Sequence, residues 1–114
     1  MLSEKDGTEI LRTCFADAGL LIQLDHPITV RGKTVRLDGF DPARNIGFEY
    51  LSHEANDHAE LTPEVVEELE AKMRRGELYI LLIDEAEVDS AAMLERAAQH
   101  FLGVLRSRGR LQSP

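Results

Sequence analysis

Apolar residues recur along the chain first with the period of a helix and then with that of a strand. A first helix is predicted over Thr8–Ala18, where the apolar residues share one face: Ile10, Leu11, Cys14, Phe15 and Ala18. Gly19 suits the exit from that helix. The pattern of Leu20–Leu24 fits either a continued helix or the start of a strand.

Three short strands are predicted next, over His26–Arg31, Lys33–Asp38 and Asn45–Leu51, because apolar and polar residues alternate there. Gly32 marks a tight turn between the first two, and Asp38–Pro42 has the composition of a turn. Connections this short predict an antiparallel meander.

The rest of the chain predicts a helix, a strand and a last helix. Thr62 and Pro63 are typical of a helix start, and Val66, Leu69 and Met73 form its predicted buried stripe. The apolar run Leu78–Ile83 predicts a strand buried on both faces and central in the sheet, which can pair in parallel after its crossover helix. Asp89 or Ser90 caps a last helix that reaches about Ser107.

This order predicts an α/β protein of the α+β kind, with a mixed sheet covered by helices, as one domain over residues 1–114. The hydrophobic fraction of 43% is enough for a core, and the absence of Trp makes that core mainly aliphatic. Cys14 falls on the apolar helix face and is expected to be a core residue.

Charge narrows the possible partners. The formal net charge is -8, which argues against nucleic acid as a partner and is compatible with a basic protein. The N-terminus has no secretory pattern and no apolar run could span a bilayer, so a cytoplasmic protein without membrane contact is expected.

Asp38 and Glu49 are the candidate chemical site. If the apolar rows of the second and third strands face the same helix, the two carboxylates share the opposite face. Paired carboxylates are ligands that Mg²⁺ or Mn²⁺ prefers, and Asp41 in the connecting turn is a possible third ligand.

The element order, Asp38 at the end of the second strand and Glu49 on the third together resemble the PD-(D/E)XK restriction-endonuclease-like superfamily. The resemblance implies a nuclease-like core, with Asp38 and Glu49 as metal ligands and Glu9 as an assisting helix residue. The family places Lys two residues after the acidic residue of the third strand, but Leu51 stands there. Some members carry that Lys on the following helix, where this chain has Lys72.

Two further acidic segments are weaker candidates. His53 and His58 flank Glu54 and Asp57 in a polar segment that could hold zinc or could be a simple loop. The segment Asp84–Glu87 follows the apolar strand, where ligands of α/β sheets tend to bind, and could equally be a solvated loop.

These features support three hypotheses. The first is a non-catalytic protein-binding or regulatory module on a nuclease-like scaffold, with no cofactor. The alternative is a Mg²⁺- or Mn²⁺-dependent phosphodiesterase that uses Asp38, Glu49 and Lys72. The third is self-association as a homodimer through an edge strand or the last helix.

Overall fold

A computed structural model describes residues 2–51 and 61–111. The predicted order of helices and strands is confirmed, with one additional 3₁₀ turn before the last helix. The elements are α1 (Glu4–Asp17), β1 (Gln23–Val30), β2 (Lys33–Asp41), β3 (Ile46–Leu51), α2 (Pro63–Arg74), β4 (Tyr79–Asp84), the 3₁₀ turn (Glu85–Glu87) and α3 (Ala91–Ser107).

The four strands form one mixed sheet in the order β1-β2-β3-β4. β1, β2 and β3 are an antiparallel meander, and β4 pairs in parallel with β3, as predicted. The predicted central position of β4 is wrong, because within the described residues β4 pairs with β3 alone and is an edge strand. Its continuous apolar run has another cause: helices cover both of its faces, so Ile80 is buried on one side and Ile83 on the other.

Two hydrophobic clusters lie on opposite faces of the sheet. The α1–α3 core contains the buried faces of α1 and α3 together with Ile46, Phe48 and Tyr50 of β3. The α2 core contains Leu61, Val65 and Leu69 of the second helical region, packed against residues of β1, β2 and β4. Cys14 is buried in the α1–α3 core, as expected, and this burial raises the pKa of its thiol.

Side-chain caps set the helix ends. Thr62 caps α2 as predicted, and Ser90, one of the two predicted candidates, caps α3. α1 begins at Glu4, four residues before the predicted start, because Ser3 accepts a hydrogen bond from the Asp6 N–H. The first turn of α1 is mostly polar, so hydrophobic periodicity does not reveal it.

The segment before β1 and the turn after β2 also differ from the prediction. α1 ends at Asp17 and β1 begins at Gln23, so Leu20–Leu24 contains a short linker and then strand. Residues Asp38–Asp41, predicted as turn, continue β2. The chain reverses after Asp41, and Asn45 completes this reversal with a φ of 58°.

Gly7 allows close packing between α1 and β3. A Cβ atom at Gly7 would lie 2.8 Å from the Tyr50 ring, closer than van der Waals contact allows. Gly103 is also within a helix, α3, but a Cβ atom there would meet no atom of the described residues within 4 Å apart from its own stretch of helix. Substituting Gly103 therefore tests helix propensity alone, whereas substituting Gly7 also tests the steric constraint from Tyr50.

We expect Gly7→Ala and Gly103→Ala to change stability in opposite directions. Alanine favours a helix interior by about 1 kcal/mol over glycine, which should stabilise Gly103→Ala. At Gly7 the same gain is outweighed by overpacking against Tyr50, which typically costs about 1–3 kcal/mol, so that variant should be less stable than the wild type by up to about 2 kcal/mol. Urea unfolding of both variants tests this, and clear stabilisation by both would contradict the tight α1–β3 contact.

Candidate functional site

The apolar rows of β2 and β3 face opposite helical layers. Val35 and Leu37 of β2 lie in the α2 core, whereas Phe48 and Tyr50 of β3 lie in the α1–α3 core. The condition under which Asp38 and Glu49 would share a face by simple alternation is therefore not met. Their arrangement has to be described from their hydrogen bonds.

Asp38 and Glu49 join β2 to β3 through their side chains. The β2–β3 ladder ends at the pair Gly39 and Phe48. Beyond it, the Asp38 N–H donates to Glu49 Oε1 at 2.8 Å, and the Tyr50 N–H donates to Asp38 Oδ2 at 2.8 Å. The two carboxylates thus accept bonds from main-chain groups of the opposite strand, and Glu49 is only 2% exposed. We call this pair of side-chain bonds the carboxylate seam.

Asp41 is a structural residue at the end of β2, where the turn to β3 begins. It is 1% exposed, and its two oxygens accept hydrogen bonds from the N–H groups of Leu21, Ala43 and Arg44 and from the Arg44 guanidinium. Burial alone would raise the pKa of Asp41, but these hydrogen bonds outweigh it and hold that pKa below its usual range. Asp41 therefore ties the α1–β1 linker to the β2–β3 turn.

A cleft of about 410 Å³ opens where α1 faces β1 and β2. We call it the acidic cleft, since four carboxylate residues line it: Glu4, Glu9, Asp25 and Asp38. Lys5, Thr8 and Leu24 complete the lining. The acidic cleft brings together Glu9 and Asp38, two of the residues that the family resemblance selected.

Two arginines lie beside the acidic cleft. Arg12 forms an ion pair with Glu9, and its hydrogen bond holds the pKa of that carboxyl below its usual range. Arg36 lies 3.3 Å from the Asp25 carboxylate. Asp25 itself has a φ of 51°, the left-handed region, which Asp adopts more readily than most residues.

The remaining predicted site residues lie elsewhere. Glu49 and Asp41 do not line the acidic cleft, and neither does Lys72, whose ammonium group lies 3.6 Å from Glu77 after the end of α2. Among the described residues, no group of three or more His, Cys, Asp or Glu side chains is arranged to hold a metal ion. Asp84 accepts a hydrogen bond from the Ala86 N–H and so caps the 3₁₀ turn.

Sequence reasoning did not select Glu4 or Asp25. Glu4 lies before the predicted start of α1, and Asp25 precedes the predicted first strand, so neither had an assigned face. Ser3, a residue type that favours helix N-caps, was the sequence signal that could have placed Glu4 in the first turn of α1. The His53–His58 segment lies outside the described residues.

Comparisons with protein-family models, with curated proteins and with solved structures find no match to this chain. In the described ranges, no helix is both long enough and apolar enough to cross a membrane.

We expect Asp41→Asn to destabilise the fold by about 2–3 kcal/mol at pH 7, because hydrogen bonds to a buried charged acceptor are lost or weakened. The depressed pKa makes the contribution of Asp41 complete above the ordinary carboxyl pKa, and it is lost as pH falls through the folded-state pKa. The difference between wild type and variant should therefore shrink in acid.

Urea unfolding at neutral and acidic pH measures this difference. Asp17→Asn, at an exposed position, is the control and should change stability by less than about 0.5 kcal/mol. An Asp41→Asn difference that stays constant with pH would contradict the role assigned to the charge.

Proposed function

We propose that this chain is a non-catalytic, cytoplasmic protein-binding or regulatory module on a nuclease-like scaffold. The observation that carries the proposal is the carboxylate seam. Asp38 and Glu49, which a nuclease of that family would use for a metal ion, here accept main-chain hydrogen bonds that join β2 to β3. Leu51 in place of the family's Lys supports the same conclusion.

In the carboxylate seam, a metal ion would compete with main-chain N–H groups for the same carboxylate oxygens. A cation that took Glu49 Oε1 or Asp38 Oδ2 as a ligand would compete with the N–H group of Asp38 or Tyr50 for that oxygen. A buried main-chain N–H without a partner costs about 1–3 kcal/mol. The seam therefore favours a structural role for these two side chains.

The acidic cleft is the surface that best suits a partner of this module. Four carboxylates and one cationic residue, Lys5, are among its described lining residues. Arg12 and Arg36 beside the cleft offset two of these negative charges, so a smaller negative excess remains. The net charge of -8 extends an attractive field for a basic protein beyond the cleft itself. We propose that a lysine- or arginine-rich segment of the partner enters this cleft.

A fluorescein-labelled oligolysine peptide tests the location of this binding. We expect the triple variant Glu4→Gln, Glu9→Gln, Asp25→Asn to weaken binding about tenfold at low salt, since an exposed charge pair contributes about 0.2–1 kcal/mol. Fluorescence anisotropy measures the change.

The matched control is the triple variant Glu64→Gln, Glu67→Gln, Glu70→Gln, which removes the same charge from exposed positions of α2. It should retain most of the affinity. Equal weakening by both triple variants would show that net charge alone attracts the peptide, and would contradict a binding site at the acidic cleft.

The second candidate function is a Mg²⁺- or Mn²⁺-dependent phosphodiesterase, favoured by the shared position of Glu9 and Asp38 in the acidic cleft. The two functions differ in their response to metal. For a non-catalytic module, millimolar Mn²⁺ should produce no binding heat and leave the Tm unchanged. Binding heat that disappears in Asp38→Asn but persists in Glu67→Gln would instead support the phosphodiesterase.

A further inference from the structure

An apolar groove lies at the outer edge of β4, where the end of α2 approaches α3. Its volume is about 240 Å³. The groove is lined by Met73, Arg74, Tyr79, Phe101, Val104, Leu105 and Arg108. Aliphatic and aromatic side chains dominate this lining, and the charged residues among them are Arg74 and Arg108, so we call it the arginine-rimmed groove.

The arginines at this groove differ from most other arginines of the protein. Side-chain ion pairs occupy several arginines elsewhere in the described chain: Arg12, Arg31, Arg36, Arg44 and Arg75. None of the ion pairs within the described ranges includes Arg74, Arg108 or Arg110. The Arg110 guanidinium lies 5.5 Å from the centre of the Tyr79 ring, so a third cation stands beside the groove.

The helix ends do not neutralise these cations. Arg74 is in the last turn of α2 and Arg108 caps α3, where each offsets the negative pole of its helix. A helix C-terminus carries roughly half an elementary charge, which is less than the full charge of the guanidinium beside it. The groove is therefore locally positive although the chain is strongly acidic.

Within residues 2–51 and 61–111, no strand pairs with the outer edge of β4. The Tyr79 N–H donates to the Asn45 carbonyl on the β3 side, so the next N–H, that of Ile80, points to the outer side. There it contacts Met73 Sδ at 3.4 Å, a weak acceptor contributed by the groove lining itself. A segment that pairs with the edge of β4 would thus pass directly beside the groove.

The size of the groove selects among possible occupants. Pockets for small-molecule ligands usually span about 300–1,000 Å³, and this one is smaller and open. Its volume suits one large apolar side chain.

We propose that the arginine-rimmed groove binds an acidic, extended segment of a partner protein. One leucine or phenylalanine of that segment fills the groove, and carboxylates on either side of it pair with Arg74 and Arg108. This surface is separate from the acidic cleft, and the inference does not depend on the function proposed for that cleft.

A set of short peptides tests the proposal. The probe has a central Leu-Phe pair with two glutamates on each side. One control peptide replaces Leu-Phe by Ser-Ser, and another replaces the glutamates by lysines. We expect the probe alone to shift the amide resonances of Tyr79, Phe101 and Val104 in a titration followed by NMR.

Matched variants test the charges. Arg74→Glu with Arg108→Glu should weaken binding of the probe at least tenfold, whereas Lys33→Glu with Arg96→Glu makes the same change of net charge at exposed positions away from the groove and should have little effect. Circular dichroism of both double variants verifies that each is folded.

Several outcomes would overturn the proposal. One is the absence of probe-induced shifts at the groove, and another is equal weakening by both double variants. A groove that binds decanoate but not the probe would be a site for small amphiphiles. Self-association that Arg74→Glu with Arg108→Glu abolishes, without binding of the probe, would assign the groove to a second copy of this chain.

Discussion

The carboxylate seam is the interaction on which the arrangement of the sheet depends. Where the β2–β3 ladder stops, the main-chain N–H groups of Asp38 and Tyr50 need acceptors, because a buried donor without one is costly. Side-chain oxygens supply them from the opposite strand. The two strands can therefore stay side by side in a region where their main chains no longer pair directly.

β2 departs from strict alternation at this level of the sheet. Leu37 and Phe40 both lie in the α2 core although they are three residues apart, a spacing that strict alternation would place on opposite faces. Between them, Gly39 lies against the Phe48 ring of the α1–α3 core, where a side chain would overlap that ring. β1 is irregular at the same level: Leu24 pairs with Gly39 and His26 with Leu37, so Asp25, with its left-handed φ, lies opposite Asp38.

Sequence patterns predicted the features that depend on residues close together in the chain. The Thr62 and Ser90 caps and the buried face around Cys14 follow from neighbouring residues, and they agree with the structure. The edge position of β4 could not be predicted from the sequence. An apolar run shows that both faces of a strand are covered but not how many strands lie beside it. The side of the sheet on which Asp38 lies could not be predicted either, because alternation assumes a regular pleat and β2 departs from it.

The candidate site shows the same division. Glu9 and Asp38, chosen from a family pattern, both line one cleft. Asp41 and Lys72 are held by local partners, Arg44 and Glu77, that a motif does not take into account. Asp25 lines the cleft at a point where its own φ is left-handed, and this main-chain conformation was not predicted from the sequence.

The protein has no tryptophan, and its two tyrosines lie in different regions. Tyr50 follows Glu49 at the carboxylate seam, is buried, and donates its hydroxyl to the Leu2 carbonyl, whereas Tyr79 lines the arginine-rimmed groove beneath Arg110. Intrinsic tyrosine fluorescence therefore comes from two residues, one in the sheet interior and one at the edge strand β4. Replacing either tyrosine by phenylalanine leaves a single tyrosine, so opening of the interior and occupancy of the outer edge become separately visible without any attached dye.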